Sequence, residues 1–135
     1  IKSLTDQPNT KYCLKLDIEK FYPSVDNEIL KSLLRRKFKD KDLMCLLDEI
    51  IDSAEGLPIG NYLSQYFANF YLTYFDHWIK EIKKVNYYFR YADDIVILSS
   101  DKSHLHELLF EIDQYLKINL NLSGYNTKTN PSYLD

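Results

Sequence analysis

Asp93 and Asp94 are adjacent carboxylates set between two β-prone runs, Tyr87–Tyr91 before them and Ile95–Ser99 after. Flanks of that kind bury, so the acidic pair stands at the end of core strands. Two neighbouring carboxylates repel each other and resist desolvation unless a cation compensates them. A solvated turn is the plainer alternative, since Asp is a common turn residue. Asp17 adds weight to the cation. It lies near the end of an alternating run in which Tyr12, Leu14, Leu16 and Ile18 share one face and Cys13, Lys15 and Asp17 the other. If that strand neighbours the hairpin, three carboxylates from two chain segments converge. Mg²⁺ prefers such hard oxygen ligands. Two ions roughly 3.5–4 Å apart can stabilise the attacking and leaving oxygens of a phosphoryl transfer. A helix cap, or a surface pair with Lys15 or Lys20, is the alternative for Asp17.

Other chemistries find no support. Gly56, Gly60 and Gly124 are the three glycines, and no two are spaced for a glycine-rich phosphate loop. His104 and His106 are two apart on a predicted helix and do not share a face. His77 is isolated, and no Cys/His zinc spacing exists. Cys13 and Cys45 lack a CxxC and read as two small buried side chains in a reducing, cytoplasmic setting. No run approaches the roughly 18 apolar residues of a membrane span.

The elements that must position the carboxylates can be read in order. A strand covers Tyr12–Ile18, and Pro23 stops it. Asp26 caps a helix with Ile29, Leu30, Leu33 and Leu34 inward, and Asp40 caps a second with Leu43, Leu47, Ile50 and Ile51 inward. Glu55–Pro58 is a loop. A long helix starts at Asn61 with one stripe of Leu63, Phe67, Phe70, Tyr71, Tyr74, Trp78 and Ile82. A hairpin of 86–91 and Ile95–Ser99 is separated by Ala92, Asp93 and Asp94. A helix over about 102–118 and a possible short strand in the tail complete the chain. This order predicts an α+β fold, an antiparallel sheet with helices on one face, of the ferredoxin-like or palm type. The 135 residues form one domain. Lys plus Arg is 17 and Asp plus Glu 20, a net charge of -3, which speaks against a broad basic nucleic-acid surface.

Three segments carry a family resemblance. Leu16-Asp17-Ile18-Glu19-Lys20-Phe21-Tyr22 followed by Pro23-Ser24-Val25-Asp26 resembles the first catalytic motif of reverse transcriptases. Tyr91-Ala92-Asp93-Asp94 is similar to their YxDD hairpin. Leu57 to Gln65, between them, looks like the motif that faces dNTP and template. The resemblance covers about residues 11–130 and implies RNA-templated DNA synthesis, the transfer of a nucleotide from dNTP to a primer 3′-OH. It implies Asp17 and Asp93 as the main ligands of two Mg²⁺ ions, which Mn²⁺ can replace, with the Ile18 carbonyl as a further ligand and Asp94 more peripheral. Tyr22 or Phe21 would exclude a 2′-OH, and Ile59, Gly60, Asn61 and Gln65 would line the nascent-pair site. Lys128 resembles a lysine that serves the leaving pyrophosphate; a solvated tail lysine is the alternative.

One departure narrows the resemblance. Most of the family has Gln before the glycine and Ser-Pro after it; here Ile59 precedes Gly60, and Ser64-Gln65 follows. That pattern is similar to reverse transcriptases of diversity-generating retroelements; related bacterial enzymes, of the group II intron, retron, unassigned or phage-defence types, are the alternative. Replacing a long amide by a branched apolar chain removes a polar contact to the nascent pair and weakens discrimination built on it. The implied partners are template RNA, primer or cDNA strand, dNTPs and, for the diversity-generating type, a small basic accessory protein; no membrane is implied. A basic group of Lys31, Arg35, Arg36, Lys37, Lys39 and Lys41, opposed by Asp40, is either a solvated helix face or a phosphate contact.

The resemblance places residues 1–135 in the palm, with residues of about 26–54 as part of a fingers–palm helical insertion. The fingers motifs upstream and the thumb downstream, usual in such enzymes, have no counterpart, so the isolated piece is expected to polymerise poorly or not at all. Two other readings stand: a palm-fold nucleotidyl cyclase or transferase that needs no template, and a non-catalytic interaction module. The cyclase does not explain Leu57–Gln65, and intact carboxylates argue against decay.

Overall fold

The computed structural model describes residues 11–58 and 60–123, and the backbone of 125–130. Strand β1 is Tyr12–Ile18. Leu14, Leu16 and Ile18 are buried on its inner face, while Lys15 and Asp17 alternate outward. Lys20, in the left-handed region at φ 49°, turns the chain into the one-turn helix α1, Phe21–Ser24. The strand thus ends before Pro23, which sits inside this turn, where its missing N–H removes no hydrogen bond.

Helices α2 (Asn27–Lys37) and α3 (Lys41–Asp52) begin at the expected caps. Asp26 Oδ1 accepts from the N–H of Glu28 and Ile29 at 2.9 and 3.2 Å. Asp40 Oδ1 accepts from Asp42 and Leu43 at 2.9 and 3.1 Å. The inward face of α3 differs from the expected one. Met44 and Ile51 are buried, whereas Leu43 and Ile50 are largely exposed. Because α3 packs chiefly on α2, a narrow stripe through Met44, Leu47 and Ile51 satisfies the contact. Cys45 lies outside that stripe and is exposed, against expectation; Cys13 is buried as expected.

The long helix is interrupted. Helix α4 (Tyr62–Tyr71) stops at Leu72, α5 covers Thr73–His77, and a π-helical turn covers Trp78–Ile82. Thr73 Oγ1 donates to the Asn69 carbonyl at 3.1 Å, and the Leu72 N–H reaches the same oxygen at 3.3 Å. Such side-chain back-bonding competes with the regular ladder and bends helices. The expected stripe holds up to the break, with Phe67, Phe70 and Tyr71 buried; beyond it Phe75 and Ile79 take the buried positions, and Tyr74 and Trp78 are only partly buried. Ile82, at the end of the π turn, leaves the stripe altogether and is 68% exposed.

Strands β2 (Tyr87–Tyr91) and β3 (Asp94–Ser99) form the hairpin. Its turn is the pair Ala92-Asp93, so Asp94 belongs to the strand and faces both Tyr91 and Asp17. Helix α6 (Lys102–Leu120) starts at Asp101, whose carboxylate accepts from the Ser103 N–H at 2.9 Å, and ends at left-handed Asn121. The tail supplies β4 (Tyr125–Asn130).

The sheet order is β2–β3–β1–β4, with every neighbouring pair antiparallel. Ile95 and Ile97 of β3 join the inner face of β1, and α6 packs there through Leu105, Leu108, Ile112 and Leu116. The buried Tyr71 hydroxyl ties α4 to two other parts of the chain. It donates to the Leu120 carbonyl at 2.5 Å and accepts from the Asp26 N–H at 3.3 Å. Among the described residues no helix is long and apolar enough to cross a membrane. The α+β class expected from the order of elements is the observed one.

Candidate active site

The outer face of the sheet carries the carboxylates. Backbone pairing sets Asp17 of β1 opposite Asp94 of β3, and the Ile18 N–H donates to the Asp93 carbonyl at 3.4 Å. A ligand oxygen from each of Asp17, Asp93 and Asp94 lies within 4.8 Å of the others. Burial pushes the Asp17 carboxyl above its ordinary value; the charges of Asp93 and Asp94 push it further, and Lys15 opposes them weakly. Three carboxylates sharing one spot form a negative well. Their all-oxygen donor set fits a hard divalent cation.

Beside the carboxylates opens a cleft of about 620 Å³. Its walls include Asp93, Lys20 and Tyr22, and Gly60, Asn61 and Gln65 around the start of α4. The structure separates the two candidate aromatics. Phe21 also borders the cleft, but it is almost wholly buried and its ring meets that of Tyr71 at 6.1 Å. Tyr22 is half-buried and borders the cleft. Its backbone is fixed from the far side, because the Leu57 N–H donates to the Tyr22 carbonyl at 2.8 Å. Gly56 sits against Pro23 so closely that a Cβ there would lie 2.7 Å from the Pro23 oxygen.

Gly60 has φ +87° and open space where a side chain would stand. Its glycine character serves the backbone angle and leaves room for a ligand. Asn61 caps α4, accepting from the Leu63 N–H at 2.9 Å, while also bordering the cleft. Ile59 lies outside the described residues. Lys128 occupies the β4 position paired with Lys15; its side chain is outside the described set.

The basic group is divided: Lys31 and Arg35 are paired with carboxylates, while Arg36, Lys37, Lys39 and Lys41 are exposed. Lys31 is buried and bound to Glu28 and Asp52, at 3.1 and 2.6 Å. Arg35 pairs with Asp48, and Lys39 donates to the Arg35 carbonyl at 3.0 Å. Arg36 lies over the Tyr74 ring at 3.9 Å, and Lys37 near those of Phe38 and Phe70. The carboxylates of α3 therefore answer part of this charge, so Asp40 is not its sole opponent. Sequence reasoning also missed Arg90, Asp76 and Tyr88. Arg90 shares strand parity with buried Tyr88, and a cation on a core face requires a partner. That parity was the available signal.

The family model described as reverse transcriptase (RNA-dependent DNA polymerase) matches residues 1–131. Among solved structures, apo telomerase from Candida Tropicalis, truncated from its C-terminal domain, superposes with a TM-score of 0.64 at 16% identity. The match covers 90% of this chain and 31% of that one, so the chain spans less than a third of that protein's length. At this identity the likeness is one of fold. No curated protein sequence matches the chain.

Proposed function

Because the chain belongs to the reverse transcriptase (RNA-dependent DNA polymerase) family, we propose that it is the palm of an enzyme that copies RNA into DNA. In this reading a primer 3′-OH attacks the α-phosphate of a dNTP, and pyrophosphate leaves. The observation that carries the reading is the convergence of Asp17 and Asp94 on Asp93, which stands in the wall of the cleft bordered by Tyr22 and Gly60.

Asp17 and Asp93 would hold two Mg²⁺ ions, with Asp94 peripheral and the Ile18 carbonyl as an added ligand. Bound there, the ions supply charge stabilisation to the attacking and leaving oxygens. The chain's own residues do the rest. Tyr22 presents a flat ring where a ribose 2′-OH would stand, which excludes one hydroxyl without a hydrogen bond. Gly60 leaves its side of the cleft free for the nascent pair, and Gln65 offers an amide to it. Lys20, at the cleft's edge, supplies a cation for the triphosphate. Template RNA, primer strand and dNTPs are the proposed partners. The Ile59-Gly60 and Ser64-Gln65 pattern supports a diversity-generating or related bacterial retroelement, with a small basic accessory protein as a further partner.

Asp93→Asn keeps the size of the side chain and removes its charge. In the polymerase that contains this chain, the substitution is expected to abolish primer extension on an RNA template while the circular dichroism spectrum stays native. Near-normal extension by that variant would overturn the metal assignment.

A further inference from the structure

Two peptide planes flank Asp93, and both are pinned. The plane after it is held by the Ile18 N–H, which donates to the Asp93 carbonyl at 3.4 Å. The plane before it contains the Ala92 carbonyl and the Asp93 N–H, since a peptide unit is rigid. That carbonyl accepts from Arg90 Nη1 at 2.7 Å. Ala92 lies in the left-handed region at φ 52°, which an alanine does not hold unaided.

Arg90 is itself fixed. Its side chain is 12% exposed, and its guanidinium grips Asp76 of α5 as a fork, Nε to Oδ1 at 2.8 Å and Nη2 to Oδ2 at 2.8 Å. Asn69, whose carbonyl marks the helix break, stands at the outer limit of contact with the same guanidinium, at 3.4 and 3.5 Å. The Tyr88 hydroxyl donates to Asp76 Oδ1 at 2.5 Å.

From this geometry we infer that Arg90 is a positioning residue for Asp93. It locks the 92–93 peptide and so sets the direction in which the Asp93 carboxylate leaves the turn, with Asp76 as its anchor. The inference rests on the reading of Asp93 as a metal ligand given above. A guanidinium is needed because one planar group must serve the Asp76 carboxylate and the Ala92 carbonyl together, which an ammonium cannot do in the same geometry.

The test is Mn²⁺ binding to the full chain, followed by electron paramagnetic resonance without nucleic acid. Arg90→Gln is expected to weaken binding by roughly tenfold or more, the usual effect of losing a group that orients a metal ligand. Arg90→Lys should move in the same direction, and it serves as the readout if the Gln variant fails to fold. Tyr88→Phe also removes a hydrogen bond to Asp76 but leaves the Ala92 contact, and should bind Mn²⁺ like the wild type. In the polymerase, the half-saturating Mg²⁺ concentration should rise by the same factor in the Arg90 variants, with excess Mg²⁺ restoring most of the rate. Wild-type binding in both Arg90 variants, or an equal loss in Tyr88→Phe, would overturn the positioning role alone. Failure of the wild type itself to bind Mn²⁺ would overturn the metal reading beneath it.

Discussion

Asp17 carries the electrostatic tension of the site. Burial and the charges of Asp93 and Asp94 hold its carboxyl above the ordinary 3.8. A carboxylic acid with a raised folded-state pKa favours the fold in its neutral form. That contribution is present at low pH and is lost as pH rises from the unfolded value through the folded one. At neutral pH the ionised Asp17 therefore works against the metal-free fold. Asp17→Asn, which cannot ionise, should melt a few degrees above the wild type at pH 7 without metal, and the gap should shrink toward pH 3. Mn²⁺ should narrow the gap at pH 7 by stabilising the wild type. A lower melting temperature for Asp17→Asn at pH 7 would contradict this account.

At the scale of elements, the wall behind Tyr22 is set by the loop that joins α3 to α4. Gly56, at φ +71°, leaves no room for a Cβ against the Pro23 backbone, and the Leu57 N–H holds the Tyr22 carbonyl. Gly56→Ala would add left-handed strain of about 1–3 kcal/mol and push α1 toward the cleft. The expected result is a lower melting temperature and, in the polymerase, a higher KM for dNTP with less change in kcat. Steady-state primer extension measures that split. Strand parity and Asp caps made β1, α2, α3 and the hairpin legible in the sequence, because they follow local rules that Leu14, Leu16, Asp26 and Asp40 obey. The break at Leu72 was not legible. There the Thr73 hydroxyl turns back to the Asn69 carbonyl, which the Leu72 N–H also reaches, and no pattern of apolar spacing signals that contact. The exposed side of α3 was hidden for a similar reason: the apolar residues Leu43, Leu46 and Ile50 outnumber the places that α2 offers. At the site, Asp17, Asp93, Tyr22 and Gly60 were legible from motif order, whereas the one signal for Arg90 was its strand parity with Tyr88.

For the whole molecule, the charge of -3 has a spatial meaning. Three of the acidic residues meet at one point of the sheet, while Lys31 and Arg35 are occupied by α3 carboxylates. The cleft opens to solvent with α1 and the start of α4 on its flanks, and acidic residues outnumber basic ones over the chain as a whole. The 135-residue chain alone should bind an RNA–DNA hybrid no more tightly than about 10⁻⁶ M at physiological salt, and should not extend a primer measurably. Fluorescence anisotropy and a gel extension assay check the two parts; processive extension would refute the second.

The register of β1 against β3 has one more consequence. Asp17 and Asp94 are partners in a ladder whose next rung pairs Leu16 with Ile95, and alternate rungs face opposite ways. A slip by a single rung would drive Asp17 into the interior and turn Leu16 outward. The carboxylates repel one another and contribute nothing to choosing the right alignment; the neighbouring leucines and isoleucines choose it for them. The geometry of the acidic cluster is thus inherited from oily residues on the opposite face of the sheet, and it has no gradual failure: the strands mate in this alignment or the acidic centre does not exist.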